Sequence, residues 1–328
     1  MARSTRPERP PLLSGSYRSF AMKVIIVTTG LLAAAAASHS SGLGASGLGA
    51  SDPQASDSPV QAALQAALPD GAPELRLPRD EEGIPYYLYV PGKVDPEAPP
   101  LVAVHGISRG ADEHLEAFAP WAERSGRVLI APLFSEAQCR RYQKVILDRC
   151  QADRALFATL REVAEATGVE IDRFDLFGFS GGAQFAHRFA LLHPERVARL
   201  AVSSAGWYTL PDPAEAYPYG LASGPRAGQR FRPKLEAFLE IPTLVLVGER
   251  DIERDSALRK EQRVDQRQGL TRVERAARWS QALRRAATRA GVAAEIRFRS
   301  LPNCGHDFED CVRDGGLVEQ VMEWFSRP

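Results

Sequence analysis

The sequence predicts an α/β fold with a mostly parallel central sheet and helices on both of its faces. Short apolar runs alternate with longer segments of helical spacing from about residue 84 onwards, and this alternation is typical of helices packed on a parallel sheet. A glycine-rich turn, Gly178-Phe-Ser-Gly-Gly182, joins one apolar run to a helical pattern. The chain has 328 residues, 44% of them hydrophobic, which is ordinary for a globular protein with a sizeable core.

Apolar runs bounded by turn residues predict seven strands. They cover residues 85–90, 100–105, 127–131, 174–177, 197–203, 242–247 and 294–299. Helical spacing predicts helices over residues 112–124, 151–167, 271–290 and 316–325, and another between the glycine-rich turn and Pro194. Residues 134–148 and 205–240 show little periodicity, so we expect irregular structure there.

The first 37 residues have the pattern of a signal peptide. Residues 24–37 form an apolar run that follows Lys23 and several arginines and ends in Ala35-Ala36-Ala37, which fits a small-residue cleavage site. This run is too short to span a bilayer. Met22 is an alternative start, and an amphipathic or buried N-terminal helix is the alternative to a signal peptide. We therefore expect an exported protein, periplasmic or extracellular, with no stable membrane insertion after cleavage.

Two further regions follow the predicted signal peptide. Residues 38–74 are rich in Ser, Gly, Ala and Pro, a composition that predicts a flexible linker. The folded domain is expected over residues 75–328.

Lys plus Arg equals Asp plus Glu, 41 each, so no net charge favours nucleic acid or an anionic membrane as a partner. Arginines cluster between Arg259 and Arg289, but acidic residues are interleaved with them, which indicates a solvated helix face.

Four cysteines lie in the predicted folded domain. An even number in an exported chain predicts two disulfides, and four cysteines allow three pairings. We expect the local pairing, Cys139 with Cys150 and Cys304 with Cys311. No two of them stand in a Cys-x-x-Cys pair, so a zinc site is not expected.

Ser180 occupies the centre of the glycine-rich turn. A serine on a sharp strand-to-helix turn is held in a strained conformation that exposes its hydroxyl, and the flanking glycines avoid collisions with the neighbouring strand and helix. This is the nucleophile-elbow pattern, and over roughly residues 84–327 the chain resembles the α/β-hydrolase superfamily. In that superfamily the chain order is serine, acid, histidine, and the three groups lie on loops at the carboxyl ends of strands.

The resemblance then implies the other two catalytic residues. His306 follows the last long predicted strand in a turn-rich loop, whereas five histidines precede that strand: His39, His105, His114, His187 and His193. His306 is therefore expected to be the base that takes the serine proton. The acid is expected to be Asp251, which follows the strand over residues 242–247. Three alternatives stay open for the acid: Asp255, Glu249 and Asp212.

The oxyanion hole needs two backbone N–H groups. One is expected from Gly181, the residue after the nucleophile. By resemblance to the His-Gly-x pattern after the second predicted strand, the other is expected from Ile107, with His105 as a structural residue. Segments after the strand over residues 197–203 commonly form the acyl pocket in this superfamily, which makes Trp207 and Tyr208 candidate pocket residues.

Within the superfamily the chain looks most like secreted esterases of the polyhydroxybutyrate-depolymerase and feruloyl-esterase type, although it shows no extra binding module. The resemblance implies a serine hydrolase that cleaves small-molecule or polymeric carboxylic esters through an acyl-enzyme, with no metal or organic cofactor. The alternatives are a serine peptidase or amidase on the same fold and a non-catalytic binding protein on that scaffold.

Overall fold

Eight strands form one sheet in the computed structural model, which describes residues 74–147 and 149–327. The strands are β1 (Leu75–Arg76), β2 (Tyr86–Tyr89), β3 (Leu101–Val104), β4 (Leu129–Pro132), β5 (Phe174–Phe179), β6 (Val197–Ser203), β7 (Thr243–Gly248) and β8 (Ile296–Leu301). The spatial order is β1-β2-β4-β3-β5-β6-β7-β8. The β1–β2 and β2–β4 pairs are antiparallel, and all later pairs are parallel.

Nine α-helices lie within the described ranges. They are α1 (Ala111–Ser125), α2 (Glu136–Cys139), α3 (Ala152–Thr167), α4 (Gly181–Leu192), α5 (Leu235–Leu239), α6 (Gln262–Gln268), α7 (Arg272–Ala290), α8 (Phe308–Arg313) and α9 (Leu317–Phe325). Three single 3-10 turns accompany them, at Tyr142–Lys144, Pro194–Arg196 and Gly228–Arg230.

The sheet is covered by apolar side chains on both faces. In β3 every residue is buried, as expected for a central parallel strand. Leu101 and Ala103 face the core layer that contains α1 and α9, whereas Val102 and Val104 face the layer that contains α3, α4 and α7. This division follows from the two-residue period of a strand. The fully apolar strands that the sequence predicts are therefore buried between two layers of helices.

All seven predicted strands are present, most of them displaced by one or two residues at their ends. The predicted helices over 151–167 and 271–290 begin one residue later than expected, at Ala152 and Arg272. Thr271 caps α7 by accepting a hydrogen bond from the Glu274 N–H at 3.2 Å. The sequence did not predict β1 or the short helices α2, α5, α6 and α8, because segments of two to seven residues carry too little periodicity.

Two of the predicted regions lie wholly or almost wholly outside the described residues. These are the signal peptide over residues 1–37 and the linker over residues 38–74, of which the structure describes only Glu74. Among the helices that it does describe, none combines the length and the apolar character needed to cross a membrane.

One of the two predicted disulfides is present and the other is not. Cys139 and Cys150 are bonded and tie α2 to the segment before α3. Cys304 and Cys311 are free and buried, with their sulfur atoms 2.7 Å apart. That separation exceeds the length of a disulfide bond, about 2.05 Å. The predicted Cys304–Cys311 bond is therefore wrong for this structure, although the two residues are neighbours.

Candidate active site

Ser180 lies at the junction of β5 and α4 with a backbone conformation that few residues adopt. Its φ is 52° and its ψ is −109°, and such strain in a non-glycine residue clusters at functional sites. A β-carbon on Gly178 would lie 2.3 Å from the Gly182 carbonyl oxygen, and one on Gly182 would lie 2.0 Å from the Val104 carbonyl oxygen. Both contacts are with backbone, so only glycine fits on either side of the turn.

Three polar side chains form a hydrogen-bonded row at this turn. His306, on the loop between β8 and α8, has Nε2 3.0 Å from the Ser180 hydroxyl oxygen. Its Nδ1 lies 2.8 Å from Oδ2 of Asp251, which follows β7. A carboxylate only accepts hydrogen bonds, so Nδ1 carries the proton and Nε2 is free to accept the one from Ser180. The row thus has the serine–histidine–carboxylate order in which the groups of acyl-transfer triads are arranged.

Arg272 contacts the carboxylate oxygen of Asp251 that does not face His306, and the sequence did not point to this arginine. Its Nη1 lies 3.3 Å from Oδ1 of Asp251, and both side chains are buried. Oδ2 of Asp251 therefore remains available to accept the hydrogen bond from His306 Nδ1. Arg272 is the first residue of α7. An arginine at a helix start is unfavourable for the helix dipole, and that mismatch was the only sequence signal for this contact.

The three alternative carboxylates have partners other than His306. Asp255 accepts two hydrogen bonds from Arg272, at 2.9 and 3.1 Å. Glu249 accepts the Asn303 N–H at 2.9 Å. Asp212 pairs with Arg267 at the surface. Of the four candidate carboxylates, the described residues bring only Asp251 within hydrogen-bonding distance of His306.

The two backbone amides predicted as oxyanion donors, those of Gly181 and Ile107, lie close to each other. Gly181 opens α4, where the first N–H groups have no partner inside the helix. A β-carbon at position 181 would lie 2.8 Å from Ile107 Cγ2 and 3.3 Å from the Ile107 nitrogen. The two predicted donors are thus neighbours, and the Ile107 N–H makes no backbone hydrogen bond within the described part of the chain.

His105 holds the loop that carries Ile107. Its Nε2 accepts the Phe134 N–H at 3.0 Å, which leaves Nδ1 to donate to the Gly106 carbonyl oxygen at 2.7 Å. Burial lowers the pKa of His105 to about 4, and the hydrogen bond to Gly106 offsets only part of this effect. The ring is therefore neutral at pH 7, with both nitrogens engaged in structural hydrogen bonds.

We expect acidification to destabilise this loop through His105. The unfolded chain binds a proton on this histidine below its ordinary pKa of 6.5, whereas the folded state resists protonation down to about pH 4. The folded state therefore loses stability relative to the unfolded state as the pH falls from 6.5 to about 4. The expected loss from His105 alone is about 2 kcal/mol between pH 7 and pH 5.

Urea unfolding of the wild type and of His105→Gln at the two pH values measures this loss. Glutamine keeps a donor and an acceptor but does not titrate. His187, whose pKa burial also lowers, contributes equally to both proteins and cancels. An identical pH dependence in wild type and variant would show that His105 is not the responsible group.

Trp207 and Tyr208 differ in what they contact. Trp207 is nearly buried and stacks against the guanidinium of Arg188, 4.1 Å from the ring centre. Tyr208 has no exposed surface and stacks on Trp279 of α7 at 4.5 Å between ring centres. Its phenolic oxygen has no hydrogen-bond partner among the described residues. Trp207 therefore stays a candidate pocket residue, whereas the packing of Tyr208 favours a core role.

The loop of His306 is packed against β5 and contains a buried thiol. The imidazole stacks on Phe179 of β5 at 5.6 Å, and the buried thiols of Cys304 in the loop and Cys311 in α8 lie 2.7 Å apart. Burial raises the pKa of both thiols. In the described ranges no group of three or more His, Cys, Asp or Glu side chains is placed to hold a metal ion.

The fold resembles those of solved hydrolases. Poly(aspartic acid) hydrolase-1 from Sphingomonas sp. KT-1 is 25% identical with a TM-score of 0.65, over 77% of this chain and 97% of that one. The poly(3-hydroxybutyrate) depolymerase LpqC from Bordetella parapertussis is 23% identical with a TM-score of 0.61, over 79% and 97% of the two chains. No model of a known protein family matches the chain, and no curated protein matches it either.

The sheet order, the position of the elbow and these neighbours identify the fold. The chain has the α/β-hydrolase fold that the sequence predicts, with helices on both faces of a mostly parallel sheet. The predicted resemblance to esterases and polyester depolymerases is thereby confirmed at the level of the fold.

Proposed function

We propose that this protein hydrolyses carboxylic esters through an acyl-enzyme on Ser180. The observation that carries the proposal is the hydrogen-bonded row from Ser180 through His306 to Asp251, located at a strained strand-to-helix turn. A serine hydroxyl needs such a base, and the base needs an orienting acid. The poly(3-hydroxybutyrate) depolymerase among the structural neighbours acts on a polyester, which supports the same reaction class.

The reaction proceeds in two halves. Ser180 Oγ attacks the ester carbonyl while His306 Nε2 takes the hydroxyl proton, and the N–H groups of Gly181 and Ile107 stabilise the resulting oxyanion. The carbon–oxygen bond to the alcohol then breaks, and His306 gives its proton to the leaving oxygen. A water molecule, deprotonated by His306, attacks the acyl-enzyme and releases the carboxylic acid and free Ser180. Asp251 keeps Nδ1 protonated throughout.

Turnover of short p-nitrophenyl esters, together with labelling by a fluorophosphonate probe, tests this function. We expect both turnover and one label per chain, carried by Ser180. Absence of both would refute the proposal and favour a non-catalytic protein on a hydrolase scaffold. If matched p-nitroanilides of peptides are cleaved faster than the esters, the protein is instead a peptidase or amidase that uses the same groups.

Export belongs to the same proposal. The signal-peptide pattern over residues 1–37 supports it, and so does the Cys139–Cys150 disulfide, since such bonds persist in oxidising compartments. Recovery of the chain from the cytoplasm with residues 24–37 still attached would contradict export.

A further inference from the structure

A cluster of charged side chains lies on the side of Asp251 that faces away from His306. It consists of Asp251, Asp255 and Arg272, and we call it the acid cluster. The side chains of Arg272 and Asp251 are 1% and 0% exposed, whereas that of Asp255 is 33% exposed. Both carboxylates lie on the loop after β7, and the arginine is the first residue of α7. The acid cluster therefore joins this loop to a helix next to the triad.

The guanidinium of Arg272 is shared between the two carboxylates. Its Nη1 and Nη2 donate to the two oxygens of Asp255 at 2.9 and 3.1 Å. This is the bidentate geometry that a guanidinium forms with a carboxylate and an ammonium group cannot. A third contact of 3.3 Å joins Nη1 to Oδ1 of Asp251. Asp255 thus holds the guanidinium in the place from which it reaches the acid.

These contacts restrict rotation of the Asp251 carboxylate. Oδ1 accepts from Arg272, and Oδ2 accepts from His306 at 2.8 Å. The terminal torsion of an aspartate is broad when nothing restrains it. Because the two donors lie on different elements, α7 and the loop after β8, any rotation of the carboxylate weakens at least one of the two hydrogen bonds. Arg272 therefore fixes the direction in which Oδ2 faces the imidazole.

Asp255 also balances the charge that Arg272 brings to the site. A guanidinium beside the acid opposes the stabilisation that a negative charge gives to the imidazolium formed during acyl transfer. The acid cluster contains two carboxylates and one guanidinium, so its formal charge is that of a single triad carboxylate. The Asp255–Arg272 pair can thus orient Asp251 without cancelling its electrostatic effect on His306.

The position of Arg272 is unfavourable for stability in two respects. A buried guanidinium loses its hydration, and a cation in the first turn of α7 opposes the helix dipole. Its Nε has no hydrogen-bond partner within the described part of the chain. Local costs of this kind are expected where function constrains the choice of residue.

We propose that Arg272 is a positioning residue, which orients Asp251 toward His306 and is itself held and balanced in charge by Asp255. The inference rests on the proposed ester hydrolysis. Within the described ranges the side-chain hydrogen bonds of Arg272 go to the two carboxylates alone, so this arginine acts on the reaction through Asp251. A displacement of about 1 Å in a catalytic group can cost about 100-fold in rate.

Arg272→Gln tests this role with p-nitrophenyl butyrate as the substrate. We expect kcat to fall about 100-fold and KM to change little, because Arg272 orients a group used in the transition state and does not bind the ester. Arg272→Lys keeps the charge but loses the bidentate geometry, and its kcat should lie between those of Arg272→Gln and the wild type. If both folded variants have the kcat of the wild type, the inference is wrong while the proposed function stands.

Arg127→Gln is the matched control. Arg127 is also a buried arginine in an ion pair, with Asp175. Asp175 is the second residue of β5 and Ser180 follows the last residue of that strand, so this pair lies at the opposite end of the sheet from the site. Both glutamine variants leave a buried carboxylate without its arginine and should lose stability. Assayed below their melting temperatures, only Arg272→Gln should lose kcat, and an equal loss in both would overturn the inference.

Proton NMR separates the two proposals if no ester is hydrolysed. The Nδ1 proton of His306, identified by the loss of its signal in His306→Gln, should resonate far downfield because it is hydrogen-bonded to a carboxylate. We expect this signal to move upfield or to disappear by exchange in Arg272→Gln and to be unchanged in Arg127→Gln. An unchanged signal in Arg272→Gln would overturn the positioning role. A displaced signal in a protein whose wild type hydrolyses no ester would overturn the proposed function and keep the orientation of His306 by Arg272.

Discussion

Replacing Ser180 with alanine is expected to lower kcat/KM for p-nitrophenyl butyrate by about 10⁴- to 10⁶-fold, as loss of the nucleophile does in serine hydrolases of this type. The hydroxyl oxygen contacts His306 at 3.0 Å, and nothing else in the row can attack the ester. The backbone hydrogen bond from the Ser180 N–H to the Ser203 carbonyl oxygen does not depend on the side chain, so the fold should be retained.

Ser204→Ala provides a matched control for this loss. Ser204 also has a positive φ, 53°, at the end of the neighbouring strand β6. Its buried hydroxyl has no hydrogen-bond partner among the described residues, and removal of an unpaired hydroxyl costs little stability. We expect its activity to stay within about threefold of the wild type. If the two variants had equal activity, Ser180 would not be the nucleophile.

Asp251→Asn is expected to reduce kcat by about 10⁴-fold at pH 7 to 8. An asparagine can donate a hydrogen bond to His306 Nδ1, which favours the tautomer in which Nε2 carries the proton. Nε2 then cannot accept the proton of Ser180. The measurement is the steady-state hydrolysis of p-nitrophenyl butyrate by the folded variant, with the melting temperature as the check on folding.

Asp255→Asn is the matched comparison, because both carboxylates contact Arg272. Burial alone would raise the pKa of Asp255, but the hydrogen bonds from Arg272 outweigh it, and the pKa lies below its ordinary value. We expect this variant to lose stability but to keep most of its catalytic activity, with kcat reduced less than about tenfold. If kcat collapses in Asp255→Asn and is unchanged in Asp251→Asn, Asp255 is the carboxylate that orients His306.

Features that rest on local pattern could be predicted from the sequence. The elbow is a run of five residues in which neighbouring backbone leaves no room for a side chain at Gly178 or Gly182, so its glycine pattern is visible without a structure. The central strands are fully buried, and burial on both faces requires an uninterrupted apolar run. His306 could be singled out because the order of elements along the chain left one histidine after the last long strand.

Features that depend on distant contacts could not be predicted in the same way. Asp251 and Asp255 lie on one loop, and their different partners follow from Arg272, 21 and 17 residues further along the chain. The predicted Cys304–Cys311 bond was a choice based on spacing alone, and the sulfurs are neighbours without a bond. Tyr208 is adjacent to Trp207 in sequence, yet it packs into the core against Trp279.

The sequence by itself determined the fold class, the strands that build the sheet, the elbow at Ser180 and the position of His306 at the correct end of that sheet. These are consequences of hydrophobic periodicity and of steric limits within a few residues. Only the tertiary structure decided which carboxylate contacts His306, which cysteines are bonded and which carboxylates Arg272 joins. Those arrangements depend on packing between segments without periodicity, where displacements of an ångström change the partners of a side chain.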